Sequence, residues 1–251
     1  MRTSFKTPAT ATPEIVAKPE EVVPQHKSVA VASPEKVDHD DAAALGFPHK
    51  PVEGEITGED IVIPRFHQVQ SVGPLSEKFA PGSLVYNKEV VISDGTTPVH
   101  LTVLRIRKRY IEHVEYGGDS IARVFDTLEE VKAAGGWIDW RDNERPPFSP
   151  MLQTLILIRS PFEDHPLFPY QFGDHAYGLA LWTLRSTAFT RAGKSIITAS
   201  QFALRDGLHK GGWQLTSKRE KIGMNFVYVP VLRHDAKHPE EFSRFALDLV
   251  S

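Results

Sequence analysis

Residues 98–117 read PVHLTVLRIRKRYIEHVEYG. Val, Leu, Ile, Thr and Tyr dominate, and such side chains suit a pleated, half-buried surface. At a period of two, Val99, Leu101, Val103 and Arg105 share one face, with Leu104 and Ile106 on the other. The stretch reads as a long, buried strand ending in the basic cluster RIRKRY, 105–110. Arg105, Arg107 and Arg109 alternate onto one side of that end. Three arginines in a row along a strand can line a groove that follows a phosphate backbone, or solvate a sheet edge.

On the N-terminal side, DIVIPRFHQVQS (60–71) combines a short apolar run with alternation through Phe66 and Val69. Pro64 within it points to an edge strand or a bulge. Further short strands are expected at 84–86 and 89–92, and Asp94-Gly95 is a hairpin signal. On the C-terminal side, DTLEEVKAA (126–134) is a helix that Asp126 or Thr127 can cap and Gly135-Gly136 ends. MLQTLILIRS (151–160) and LALWTLR (179–185) are strands, 190–204 is a helix, and the last strand lies at about 225–232. PEEFSRFALDLV can close the chain with one amphipathic helix through Phe242, Phe245, Ala246 and Leu249. Trp137 and Trp140 read as core residues. Regular strand–helix alternation is missing, so a doubly wound sheet is excluded. The expected fold is mainly β (α+β): an antiparallel barrel of OB-like type with short helical insertions.

Residues 1–55 differ in kind. They are rich in Pro, Ala, Val, Glu and Lys, hold nine acids against six bases, and have Phe5 and Phe47 as their only aromatic residues. Too little apolar surface is available there to offset chain entropy. A disordered Pro/Ala/Glu-rich arm over 1–55 is therefore expected to precede a single β-rich domain over 56–251. The chain has no cysteine, which excludes disulfides and thiolate chemistry. No apolar run approaches the roughly 18 residues of a membrane span. The N-terminus lacks an apolar signal-peptide core. A cytoplasmic location is the expectation.

The formal net charge is −3, yet Trp182–Arg233 holds nine basic residues and only Asp206 and Glu220 to oppose them. Trp182, Phe189, Phe202, Trp213, Phe226 and Tyr228 are interleaved with the charges. Positive charge follows phosphates and flat rings accept stacked bases, so the combination suits single-stranded nucleic acid. Candidate phosphate contacts are Arg185, Arg191, Lys194, Lys218, Arg219 and Lys221, with Arg105, Arg107 and Arg109 as a second set. Candidate stacking residues are Trp182, Trp213 and Tyr228; glycines and lysines around Trp213 suggest exposure.

Nothing catalytic competes with this segment. RAGKS (191–195) resembles the end of a phosphate-binding loop, but position 188 is alanine where that loop needs glycine, so Gly193 reads as a simple turn. Asp164-His165 and Asp174-His175 repeat a carboxylate–imidazole pair without the helical spacing of a metal site. There is no G-x-S-x-G turn. The reading is a non-enzymatic protein with no cofactor and no metal.

DIVIPRFHQVQS, then PGSLVYNKEVVIS, then a strand ending in basic residues, resembles the opening of a group of bacteriophage-encoded proteins. LALWTLRSTAFTRAGKSIITASQFAL followed by NFVYVPVL resembles their closing half. The resemblance covers about 60–233. It implies a single-stranded DNA-binding or replication-associated protein with an oligonucleotide-binding barrel, acting in the host cytoplasm. Single-stranded DNA would be the partner, protected or organised during replication or recombination, with replication proteins reached through the N-terminal arm. One departure stands out: such binders often end in an acidic tail, whereas this chain ends in the nearly neutral FSRFALDLVS. The alternatives are a virion or assembly protein making only protein contacts, and an enzyme whose site the sequence does not display. The oligomeric state is open.

Overall fold

The computed structural model describes residues 62–114 and 121–250. The expected arm over 1–55 lies outside the described residues.

Ten strands form one sheet: β1 (Arg65–Gln68), β2 (Leu84–Tyr86), β3 (Val90–Ser93), β4 (Val99–Glu112), β5 (Val124–Phe125), β6 (Phe148–Arg159), β7 (Tyr170–Phe172), β8 (His175–Arg185), β9 (Gly211–Ile222) and β10 (Asn225–Lys237). Their order across the sheet is β10-β9-β4-β6-β8-β1-β2-β3, with β5 beside β4 and β7 beside β8. The long strands β4, β6 and β8 lie in the middle, where near-continuous apolar side chains can be buried on both faces. The sheet curls into a half-barrel. It is mixed, which corrects the expectation of an all-antiparallel barrel. Arg65 and Phe66 of β1 run parallel to Leu181 and Trp182 of β8. Parallel pairing needs a long connection, and the chain between these strands supplies one. Pro64 precedes β1, and its carbonyl accepts a bond from the Leu181 amide at 2.8 Å. A residue without an N–H is tolerated at the first position of a strand.

The expected strand at β4 is present, but its faces are not those of simple alternation. The β4–β6 register slips between Val103 and Arg105. This bulge resets the phase, so Ile106 joins Val99, Leu101 and Val103 in the main core, while Leu104 packs into the opposite cluster. Asp94-Gly95 does not join a hairpin, because β3 lies at the sheet edge, far from β4 in strand order. The Asp94 carboxylate instead accepts the amides of Thr96 and Thr97 at 2.8 and 3.1 Å.

Among the described residues, three helices of six to nine residues flank the sheet. α1 (Leu128–Ala133) is capped by Thr127, whose hydroxyl accepts the Glu130 amide. A helical turn at Ser186–Ala188 and a wide turn at Phe189–Gly193 lead without a break into α2 (Lys194–Gln201). Gly193 is thus helical, with Phe189 packed against it, and RAGKS makes neither a turn nor a phosphate loop. Phe189, Ala192 and Ile196 of this run pack into the main core with Trp182 and Leu184 of β8 and Trp213 of β9. α3 (Glu240–Asp248) packs into the opposite cluster through Phe242 and Ala246, as its amphipathic pattern predicts. Trp140 is exposed, contrary to its reading as core.

Candidate nucleic-acid interface

β9 and β10 form a hairpin that pairs with the rest of the sheet over only part of its length. Only Gly212–Leu215 of β9 pair with β4. Beyond that point the hairpin continues as a two-stranded ribbon to a two-residue turn, Gly223-Met224, closed by the Ile222–Asn225 pair. Gly223 takes a φ of +59°, which the first position of such a turn demands and a side chain resists.

The register sorts the ribbon's side chains. Arg219 pairs with Tyr228 and Lys221 with Phe226, so two cations and two aromatic rings share one face. The Arg219 guanidinium lies 4.2 Å from the Phe226 ring centroid. Phe226 is 50% exposed and Met224, at the tip, 94%. The opposite face carries Lys218 and Glu220 beside Val229, which is buried. Glu220 holds Arg191 of the wide helical turn at 2.7 Å and Lys218 at 3.5 Å.

The ribbon is braced where it leaves the sheet. The Ser217 amide donates to the Gly95 carbonyl at 2.7 Å, and Gln68 Nε2 donates to Ser217 Oγ at 2.6 Å. The Gln70 side chain binds the backbone of Tyr228. The Tyr228 ring lies over Gly82, where a β-carbon would come within 2.6 Å of Tyr228 Cε1. Gly82 also has a φ of +96°, so two requirements exclude a side chain there.

The structure divides the candidate residues. Lys218, Arg219, Lys221 and Tyr228 come together on the ribbon, with Arg191 tied to it through Glu220. Lys194 is exposed at the start of α2, three residues beyond Arg191, and Arg185 is exposed at the end of β8. Tyr228 is half-buried because Gly82 takes one side of its ring. Trp182 and Trp213 are each only 3% exposed and belong to the main core, which removes both as stacking platforms. Trp182 packs edge-on to Phe66 and Trp213 edge-on to His234. The charged and glycine neighbours of Trp213 do not decide its exposure: pairing with Leu101 of β4 sets the indole against the main core, whereas Arg219 and Lys221, on the same face of β9, lie beyond the stretch paired with β4.

The second arginine set is also spent within the fold. Arg107 and Arg109 both reach Asp126, at 2.6 and 2.8 Å, and Arg109 is buried. Arg105 donates to the Val250 carbonyl and anchors the end of the chain after α3. Phe226, absent from the candidate stacking residues, joins Tyr228 on the ribbon. Its signal lay in the hairpin register, since counting outward from Gly223-Met224 sets it opposite Lys221.

Compared with protein-family models, curated proteins and solved structures, the chain matches none of them.

Proposed function

We propose that this protein binds single-stranded DNA without sequence preference, through the ribbon face of Arg219, Lys221, Phe226 and Tyr228, with Lys218 on the ribbon's other face and Lys194 at the start of α2 as flanking cations. The observation that carries the reading is the register of the β9–β10 ribbon, which interleaves exposed cations with aromatic rings on one face. Such a face attracts phosphates by charge and bases by stacking. The wide rings favour splayed single-stranded bases over a closed duplex. In this reading the half-barrel is an open variant of the OB-like barrel, with its projecting hairpin lining the strand-binding groove. No catalytic step is assigned. A phage-type role in replication or recombination follows from the sequence resemblance alone.

The second reading is a virion or assembly protein. The apolar tip, Met224 with Ile222 beside it, favours a protein contact there. A gel shift separates the two. Full-length protein is titrated into a labelled single strand of about 30 nucleotides and a duplex of equal length. The DNA-binding reading expects a shift with the single strand at lower protein concentration than with the duplex. No shift with either strand leaves the assembly reading.

A further inference from the structure

A cavity of about 360 Å³ lies between the sheet and α3, at the open end of the β9–β10 hairpin, opposite its tip. A cross-strand row forms its floor: Gly212 pairs with Thr102, and Thr102 with Leu157. Phe172, Tyr177 and Phe242 make an aromatic wall. The Phe242 ring stands 5.2 Å from that of Phe172 and 5.4 Å from that of Tyr177. His238 closes the side, 4.2 Å from the Phe242 ring, with its Nε2 at 2.8 Å from Thr102 Oγ1.

Arg159 is the unexplained group in this wall. It sits opposite Tyr177 in the β6–β8 register and lines the cavity. Among the described residues no carboxylate forms an ion pair with it, unlike Arg107, Arg109, Arg123 and Arg191. Two acids, Asp174 and Asp235, line the same cavity, and both are exposed to solvent, which screens their charge; Asp235 also accepts a bond from Gln214 at 3.1 Å. Burial raises the Tyr177 phenol above its ordinary pKa against the opposing pull of Arg159, which places the guanidinium within electrostatic reach of the aromatic wall.

We infer that this cavity binds a small planar organic anion, with its acid group on Arg159 and its ring against Phe172, Tyr177 and Phe242. A guanidinium presents a planar fork that carboxylate, sulfonate and phosphate all match. Its attraction for them is enhanced beside apolar walls that exclude water. The aromatic wall contributes by removing the ring's own apolar surface from water. The volume suits one ring system with its acid group, at the small end of ligand pockets. Two sources share this chemistry, an aromatic acid and a nucleoside monophosphate. The site is separate from the ribbon, so it stands or falls independently of DNA binding.

The test uses full-length protein and the fluorescent aromatic sulfonate 1-anilinonaphthalene-8-sulfonate. Saturable binding is expected, and Arg159→Gln should weaken it about tenfold, the worth of a charge-assisted bond. Met224→Ser, which removes the exposed apolar tip, should leave it unchanged. Displacement from the unaltered protein gives a readout that needs no variant. Indole-3-carboxylate should displace the probe at about tenfold lower concentration than indole-3-carboxamide, which lacks the charge. Thymidine monophosphate outcompeting indole-3-carboxylate supports a nucleotide as the source; the reverse order supports an aromatic acid. Absence of saturable binding, or equal displacement by acid and amide, overturns the proposal.

Discussion

Gln70 and Tyr228, 158 residues apart, are joined as if they were neighbouring strands. Gln70 Nε2 donates to the Tyr228 carbonyl at 2.8 Å, and Gln70 Oε1 accepts the Tyr228 amide at 3.0 Å. One side-chain amide thus satisfies both backbone groups of an edge-strand residue. It ties the chain just past β1 to β10, the outer strand on the far side of the curled sheet. A free edge would otherwise present these groups to water or to another chain.

Gln70→Ala removes both bonds. We expect a loss of about 1–3 kcal/mol in urea unfolding, at roughly 1 kcal/mol for each neutral bond. Amide exchange should quicken in 216–229 and stay slow in β4 and β6. Uniform quickening across the sheet would show that the clasp does not act locally.

Phe226 and Trp213 should part company. Phe226→Ala is expected to weaken binding to a single strand by about 1–3 kcal/mol, with the salt dependence unchanged. Its cost to stability should stay near 1 kcal/mol, because the ring is half exposed and loses chiefly its contact with Arg219. Trp213→Ala should cost about 3–5 kcal/mol of stability by opening a cavity in the core. Among molecules that remain folded, its binding should be normal. Calorimetric melting and fluorescence titration of the two variants check both statements.

Charge on the ribbon is tested by salt. With Lys194, Lys218, Arg219 and Lys221 as phosphate contacts, log affinity should fall with log salt at a slope of about −3, or 0.7 for each contact. Replacing Lys218, Arg219 and Lys221 together by alanine should lower that slope by about 2. Arg107→Ala should leave the slope as it is, since Asp126 already engages that guanidinium. Its effect should appear in stability instead. A slope that responds to Arg107 and not to the ribbon would place the interface elsewhere.

Stability should fall on mild acidification. Burial holds the His238 pKa below its ordinary value, and it does the same at His113 and His209. The unfolded imidazole, at about 6.5, then binds its proton more readily than the folded one. The stabilising contribution is fully present above the unfolded value and is lost as pH falls below it through the folded value. The melting temperature should therefore drop from pH 7 toward pH 5. His238→Gln keeps a polar partner near Thr102 and should flatten part of that drop. A drop of unchanged size in this variant would assign the effect to other groups.

Local chemistry was legible in the sequence where neighbours along the chain decide it. The capping of α1 by Thr127 and the apolar stripe of α3 need only a few adjacent residues. The β-character of Val99–Glu112 and Phe148–Arg159 comes from side-chain shape repeated at short range. The basic composition of the Lys218–Lys221 stretch was equally plain.

Tertiary structure alone decided the rest. Arg107 and Arg109 read as a phosphate-binding row until Asp126, carried in by the turn before α1, paired with both. Trp213 read as exposed until pairing with β4 placed it against the core. The bulge after Val103 inverted the faces of β4, since one extra residue shifts a period of two by half a cycle. The parallel β1–β8 pair and the Gln70–Tyr228 clasp join segments more than a hundred residues apart. The sequence by itself determined which residues carry charge, rings and strand propensity. Which of those charges stay unpaired, and which rings meet solvent, depends on partners that only long-range pairing supplies.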